Sequence, residues 1–341
     1  MFDFTRDGAG VSKRENLNES GLKRFFLTYK NSFGKLISVN MLMVLGNFPL
    51  IFLIIVLSGY TKVDALVPAN DLFQNLGAIF SVTDPSPFSM SLYALEGLQN
   101  AVLLPTVWTY IFYGLGALTL FTFGVVNVGT AFILRNIAMG EPVFVWTDFW
   151  YAVKRNWRQA LPFGVIDGLI NVILVFNIYT TISAGGTFLT NMMFWGNFVL
   201  IILYFFMRCY IYVQMLTFKL SVFKILKNSL IFALVGMKRN ILALLFTILL
   251  LLFELCFIFG LGALLMPLAI AMPLAIMFST LAYAKVYAAY FKIKEIMIDP
   301  YKAEHPELFT APEEDDDDIV MRDDVTEKER LEEIKKRNGI H

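Results

Sequence analysis

Residues 241–261 read ILALLFTILLLLFELCFIFGL, with Glu254 as the one charged side chain. A membrane-spanning helix needs about 20 consecutive, predominantly apolar residues, and this run supplies them. Five further runs qualify on either side of it: Leu36–Gly59, Trp108–Leu134, Leu161–Ser183, Met192–Leu216 and Leu264–Tyr287. The Gly260-Leu261-Gly262 link turns the fifth span into the sixth, and Pro267 with Pro273 predicts a kink or an extra turn in the sixth. Composition agrees with this reading. The 341-residue chain is 57% hydrophobic and 16% charged, whereas soluble domains carry about 25% charged residues. A soluble enzyme, a disordered chain and a nucleic-acid-binding domain are therefore excluded.

Positive charge sets the direction of insertion. Arg6, Lys13, Arg14, Lys23, Arg24, Lys30 and Lys35 precede the first span; Arg135, Lys154, Arg155 and Arg158 lie between the second and third. Lys219, Lys224, Lys227, Lys238 and Arg239 lie between the fourth and fifth, and Lys285, Lys292 and Lys294 accompany the end of the sixth. The alternate loops hold Lys62 alone. Six spans with both termini in the cytoplasm follow. The first apolar run begins too late for a signal peptide and is too long for its apolar core, so it is expected to stay as a span.

Three similar stretches precede the odd-numbered spans. Lys30-Asn31, Lys154-Arg155-Asn156 and Lys238-Arg239-Asn240 each follow a mixed apolar and basic segment: Leu22–Tyr29, Phe149–Val153 and Phe218–Val235. Such segments suit amphipathic helices lying at the interface, with Lys30, Lys154, Arg155, Lys238 and Arg239 reaching lipid headgroups. The expected fold is an all-α polytopic membrane protein of six spans. They form three hairpins, each preceded by a cytoplasmic elbow helix. Residues 1–35 form a cytoplasmic amphipathic segment, residues 36–288 the transmembrane domain and residues 289–341 an acidic tail. Residues 1–298 carry 21 Lys+Arg against 13 Asp+Glu, and residues 299–341 carry 7 against 15, so a basic body precedes an acidic end.

The extracytoplasmic insertion 60–107 is predicted to hold two short amphipathic helices, Asp71–Phe80 and Phe88–Leu104, separated by an Asp84-Pro85-Ser86-Pro87 turn. It is either a cap packed on the bundle or a docking surface, and Phe73, Phe80, Phe88 and Tyr93 are aromatic residues of the kind that anchor interfaces. The acidic run Glu313–Asp318 repels itself and reads as a solvated tail.

Ionisable groups inside spans are the best functional pointers in a membrane protein. Two acids stand out, Asp167 in the third span and Glu254 in the fifth. At 1.5 Å per residue they sit roughly 10 Å and 20 Å from the cytoplasmic edge, so no paired-carboxylate site is expected. Asp167 and Asn171 share a helix face. With Asn40, Asn47, Asn127, Asn136 and Asn197 they could line a polar seam, serving either a proton or cation pathway or interhelical hydrogen bonding. Cys209 and Cys256 lie in apolar runs, and the two histidines, His305 and His341, lie in the tail. No disulfide framework, metal centre or cofactor is expected. Gly114-Leu115-Gly116 lies within an apolar run and Gly185-Gly186 reads as a turn; no nucleotide loop, nucleophile elbow or zinc-protease helix is present.

Three blocks carry a family resemblance. The first is Asn18-Glu-Ser-Gly-Leu-Lys-Arg-Phe-Phe26, followed by Leu36-Ile-Ser-Val-Asn40 and Pro49. The second is Gly129-Thr-Ala-Phe-Ile-Leu-Arg135 with Gly140-Glu141, then Asp148-Phe149-Trp150 and Lys154-Arg-Asn-Trp-Arg-Gln159. The third is Phe223-Lys-Ile-Leu-Lys-Asn-Ser-Leu-Ile-Phe-Ala-Leu234. In order and spacing they resemble the YesL-like bacterial membrane proteins, a family without established catalytic residues. The insertion and the acidic tail depart from its pattern. The resemblance implies a non-enzymatic accessory protein of the bacterial plasma membrane, associated with oligosaccharide import and docked on carbohydrate ABC importer permease subunits or a binding protein. The alternative is an ion-coupled permease using the seam around Asp167 and Asn171. A membrane enzyme is the weakest reading, for want of a nucleophile or metal set.

Overall fold

The structure is a computed structural model that describes residues 21–68, 84, 86–96, 99–260 and 265–305. It is 86% helical. The elements run α1 (Gly21–Asn31), α2 (Phe33–Gly46), α3 (Leu50–Leu57), β1 (Lys62–Pro68), α4 (Pro87–Glu96), β2 (Gln99–Pro105), α5 (Val107–Ala117) and α6 (Thr119–Met139). They continue as α7 (Val145–Ser183), α8 (Phe188–Thr217), α9 (Val222–Val235), α10 (Met237–Leu255), α11 (Met266–Met272), α12 (Phe278–Ile293) and α13 (Asp299–Glu304). Five helical stretches are long and apolar enough to cross a membrane: Val107–Met139, Val145–Ser183, Phe188–Thr217, Met237–Gly260 and Met266–Glu304. The pair α2 and α3, bent by 62°, makes a sixth if counted as one span.

The chain divides into two compact units, Met1–Lys292 and Ile293–His341. In the second, the π-helical turn Lys294–Ile298 is followed by α13, and the His305 ring stacks on Tyr301 at 4.5 Å.

In the first unit the bend between α2 and α3 falls at Pro49, which has no N–H to continue the helix. The Leu45 carbonyl that Pro49 leaves without its usual donor accepts the Phe48 N–H at 3.2 Å instead, while Asn47 Nδ2 adds a donor to the Met43 carbonyl at 2.9 Å. A second proline interruption, the π-helical turn Pro273–Met277, is held by Asn40 of α2. Asn40 Nδ2 donates to the carbonyls of Pro273 (2.9 Å) and Leu274 (2.7 Å), while the Ser279 N–H donates to Asn40 Oδ1 at 2.9 Å. The break expected from Pro273 is thus a helix distortion whose displaced backbone groups find a side chain.

The most extensive helix pairing is α6 on α7. Gly124 and Gly164 meet at the crossing, where a Cβ on Gly164 would lie 2.5 Å from the Gly124 nitrogen and one on Gly124 would strike the Ala160 carbonyl. Small residues of this kind let two helix backbones touch. At the far end of α7, Gly185 adopts φ 80°, which turns the chain into α8. Thr187 then caps α8 by accepting the Thr190 N–H.

Helix α1 is amphipathic and buries Phe25 and Thr28. Phe25 packs against Tyr283 (5.1 Å), Tyr287 (5.2 Å) and Phe246 (5.8 Å). Thr28 Oγ1 meets Tyr283 Oη at 2.5 Å, and Tyr29 Oη meets Thr280 Oγ1 at 2.8 Å. Arg24 donates to the last carbonyls of α6, Met139 (3.2 Å) and Ala138 (3.4 Å), where the helix dipole favours a cation. The first helix is therefore bolted to α12 and to the end of α6.

Two expectations need correction. The stretch before the third span is continuous with it: α7 runs from Val145 to Ser183 without a break, and Pro162 lies inside it. The helix expected over Phe88–Leu104 ends at Glu96, and Gln99–Pro105 is instead a strand. It pairs antiparallel with Lys62–Pro68, from Lys62 opposite Pro105 to Pro68 opposite Gln99. Val102-Leu103-Leu104, apolar and partly β-branched, pair with Val63–Ala65 across the ribbon. The ribbon is fastened to α5 by Thr106 and Thr109, whose hydroxyls both donate to the Thr61 carbonyl, at 2.6 and 2.8 Å. The helix expected over Asp71–Phe80 lies outside the described residues.

Candidate functional site

Asp167 sits on α7 and is 0% exposed. Its carboxylate collects donors from α8 at regular spacing. Tyr204 Oη donates to Oδ1 at 2.6 Å, Tyr212 Oη donates to Oδ2 at 2.9 Å, and between them Arg208 Nε lies 2.9 Å from Oδ1 and 3.2 Å from Oδ2. Residues 204, 208 and 212 are each one helical step of four apart, so all three project from one stripe of α8. Asn171, one turn along α7, donates Nδ2 to Asp167 Oδ1 at 2.9 Å and to the Asp167 carbonyl at 2.6 Å. The expected Asp167–Asn171 pairing is present, and it is the smaller part of the cluster.

Aromatic rings enclose the charges. The Arg208 guanidinium lies over Phe123 of α6 at 5.3 Å, and Phe163 packs edge-on to Tyr212 at 5.4 Å. The arrangement draws α6, α7 and α8 together around one ion pair. A buried pair with its remaining lone pairs satisfied offsets the desolvation of both ions; removing one partner leaves the other stranded.

Beside the pair lies a cavity of about 40 Å³ between α6, α8 and α12, bordered by Asn127, Thr130, Arg208, Cys209, Tyr212 and Lys285. Lys285 of α12 places Nζ 5.8 Å from the Phe205 ring centroid. Among the described residues it donates no hydrogen bond and meets no carboxylate.

The other asparagines do not extend the seam. Asn127 Nδ2 bonds the Phe123 carbonyl of its own helix, and Asn197 Nδ2 bonds the Leu174 carbonyl of α7 at 3.0 Å. Asn136 Oδ1 accepts from Arg135, Asn40 serves the Pro273 interruption, and Asn47 Nδ2 bonds the Met43 carbonyl of its own helix. Glu254 takes no part in the cluster. It is 6% exposed on α10, and neither carboxyl oxygen meets a donor among the described residues.

The basic residues expected at lipid headgroups divide. Lys30, Lys154, Arg155 and Lys238 are exposed, whereas Arg239 is half-buried. Arg155 donates to Tyr151 Oη at 2.8 Å and, with Arg158 and Lys219, borders a cleft of about 550 Å³ between α7 and the linker from α8 to α9. Gln159 closes one side of that cleft by donating to the Leu220 carbonyl at 2.9 Å. Of the docking candidates, Phe88 is 73% exposed and Tyr93 is half-buried. Phe73 and Phe80 lie outside the described residues.

Sequence reasoning missed Arg208, Tyr204, Tyr212 and Lys285 as members of the site. Counting acids alone passed over them. The available signal was Tyr204-x-x-x-Arg208-x-x-x-Tyr212, an arginine inside an apolar run with a hydroxyl one turn to either side. Comparison with protein-family models, with curated proteins and with solved structures finds no match to this chain.

Proposed function

We propose that the chain is a non-enzymatic integral membrane protein that acts by packing against other membrane proteins and does not itself carry a solute. The observation that supports this most is the condition of Asp167. An acid on an ion pathway exchanges partners with water or a passing cation. Asp167 is fully buried, and its two oxygens are occupied by four side chains set on two helices. Outward, large apolar side chains such as Trp195, Phe176 and Leu249 are exposed, ready for lipid or a partner's helices.

In this reading the chain lies in a bacterial plasma membrane with both termini in the cytoplasm. Six spans form three hairpins; α1 and α9 are the elbows of the first and third, and the second is entered through the unbroken helix α7. The partner class is the one that the YesL-like resemblance implies, the permease subunits or binding protein of a carbohydrate ABC importer. The spans supply most of the contact area, and the outer ribbon with Phe88 supplies selectivity. Gentle-detergent purification from native membranes tests this, with co-purified subunits identified. Importer permease subunits are expected, held less well after excision of 64–104 than after deletion of 313–341. Retention after the excision with loss on the tail deletion would place the binding face on the wrong side.

A second reading, an ion-coupled permease using Asp167 and Asn171, is favoured by the cavity beside Arg208. Solute uptake by the purified protein in liposomes, abolished by Asp167→Asn, would establish it in place of docking.

A further inference from the structure

Three cations border one cleft where α7 meets the linker after α8. Arg155 and Arg158 lie three apart on α7 and so share a face; Lys219 borders the same cleft from the linker. Among the described residues, no carboxylate borders the cleft and none meets any of the three. The frame that holds them is fixed. Helix α7 is unbroken here, and Gln159 ties the linker to it by donating to the Leu220 carbonyl at 2.9 Å. Arg155 spends one N–H on Tyr151 Oη at 2.8 Å, and Arg158 lies over the Trp157 ring at 5.7 Å. A guanidinium carries five donors, so both keep N–H groups for a ligand, in the planar geometry that suits phosphate.

Depth and lining favour one source of that phosphate. The apolar part of α7 beyond the cleft, Leu161–Ser183, is 23 residues long, or about 34 Å at 1.5 Å per residue. A hydrocarbon layer of about 30 Å takes up that length, which leaves Arg155 and Arg158 just outside it, at the level of phospholipid phosphates. Tyr151 and Trp157 beside them are exposed, as aromatic side chains at a membrane interface are. Met215, Leu216 and Phe218 give the cleft an apolar side, suited to glycerol and the first methylenes of an acyl chain; a free phosphate leaves it unused. The cleft is open, so charge, depth and the apolar side do the selecting, not size. We propose that it binds the headgroup of one anionic phospholipid, the phosphate held by Arg155, Arg158 and Lys219. The lipid would join the entry of α7 to the exit of α8. The site rests on the membrane reading of the spans and not on docking to importer subunits, so either can fail alone.

The test titrates the full, delipidated chain in mild detergent with dioleoyl phosphatidylglycerol or dioleoyl phosphatidylcholine and counts bound lipids by native mass spectrometry. Co-flotation with phosphatidylcholine vesicles reads membrane insertion separately. One saturable phosphatidylglycerol per chain is expected, bound in preference to phosphatidylcholine and not displaced by glycerol 3-phosphate or inorganic phosphate. Arg155→Gln should weaken it about fivefold, and replacing all three cations by Gln about a hundredfold. Gln159→Leu keeps every charge but frees the linker, and should also weaken it. Lys154→Gln and Lys238→Gln, at exposed lysines that do not border the cleft, should leave it unchanged. A wild-type chain without preference for phosphatidylglycerol would overturn the proposal, whether or not the variants fold. So would displacement by the soluble phosphates, full binding in the triple variant or in Gln159→Leu, or equal loss in the two lysine controls.

Discussion

Replacing Asp167 by leucine removes the shared acceptor of Tyr204, Tyr212, Asn171 and Arg208 in one step. The guanidinium, with its side chain 22% exposed, is left without a counter-charge. Breaking a buried pair from one side costs about 3–5 kcal/mol, and each stranded hydroxyl adds about 1 kcal/mol. Asp167→Leu should therefore destabilise the chain by roughly 5–7 kcal/mol. Arg208→Met should cost less, roughly 2–3 kcal/mol, because the carboxylate keeps three of its four donors. The double variant removes both charges, so its cost should fall below the sum of the singles by about 3 kcal/mol, at the upper end of coupling energies for directly bonded residues. Reversible unfolding in mixed micelles, or steric trapping in bicelles, gives all three values. Additivity within about 0.5 kcal/mol would refute the ion pair as the link between α7 and α8.

Three further outcomes follow from other parts of the fold. Gly164→Leu puts a side chain against the Gly124 backbone and should cost at least about 1–3 kcal/mol by overpacking, read by the same unfolding assays. Asn40→Ala strands the Pro273 and Leu274 carbonyls and the Ser279 N–H. It should cost about 1–3 kcal/mol, and amide hydrogen exchange should rise locally around 273–279 if Asn40 holds that turn. Neutralising Arg155, Arg158 and Lys219 together should reduce retention of anionic phospholipid on the purified protein, at about 1 kcal/mol per basic residue; unchanged lipid content, scored by mass spectrometry, would show that the cleft does not recruit headgroups.

Much of the helical layout was legible because long apolar runs and breakers act locally. The apolar run from Ile241 is a helix long and apolar enough to cross a membrane, and Pro49, Pro273 and Gly185 mark a bend, a distorted turn and a reversal. The elbow before the third span was misjudged because a basic cluster predicts interface affinity, not a helix break. Only local geometry could show that Phe149–Val153 runs straight into Leu161–Ser183. The strand at Gln99–Pro105 was hidden for the usual β reason: its partner, Lys62–Pro68, is far off in sequence. The site was half legible. Asp167 and Asn171 announce themselves by spacing on one helix, but their charge partner comes from the next, and a lysine and an arginine on helices far apart in the chain meet at one cavity only through tertiary packing.

Whether the Asp167 seam is closed can be measured directly. Asn171→Cys, in a chain with Cys209 and Cys256 replaced by serine, can be exposed in native membranes to small thiol-specific reagents from each side in turn. Those reagents modify only hydrated thiols. A packed cluster leaves residue 171 unmodified from both faces, while an exposed control at Ser86→Cys reacts. Rapid modification at 171 from either side would mean that water reaches Asp167, and would contradict a protein that works through its surfaces.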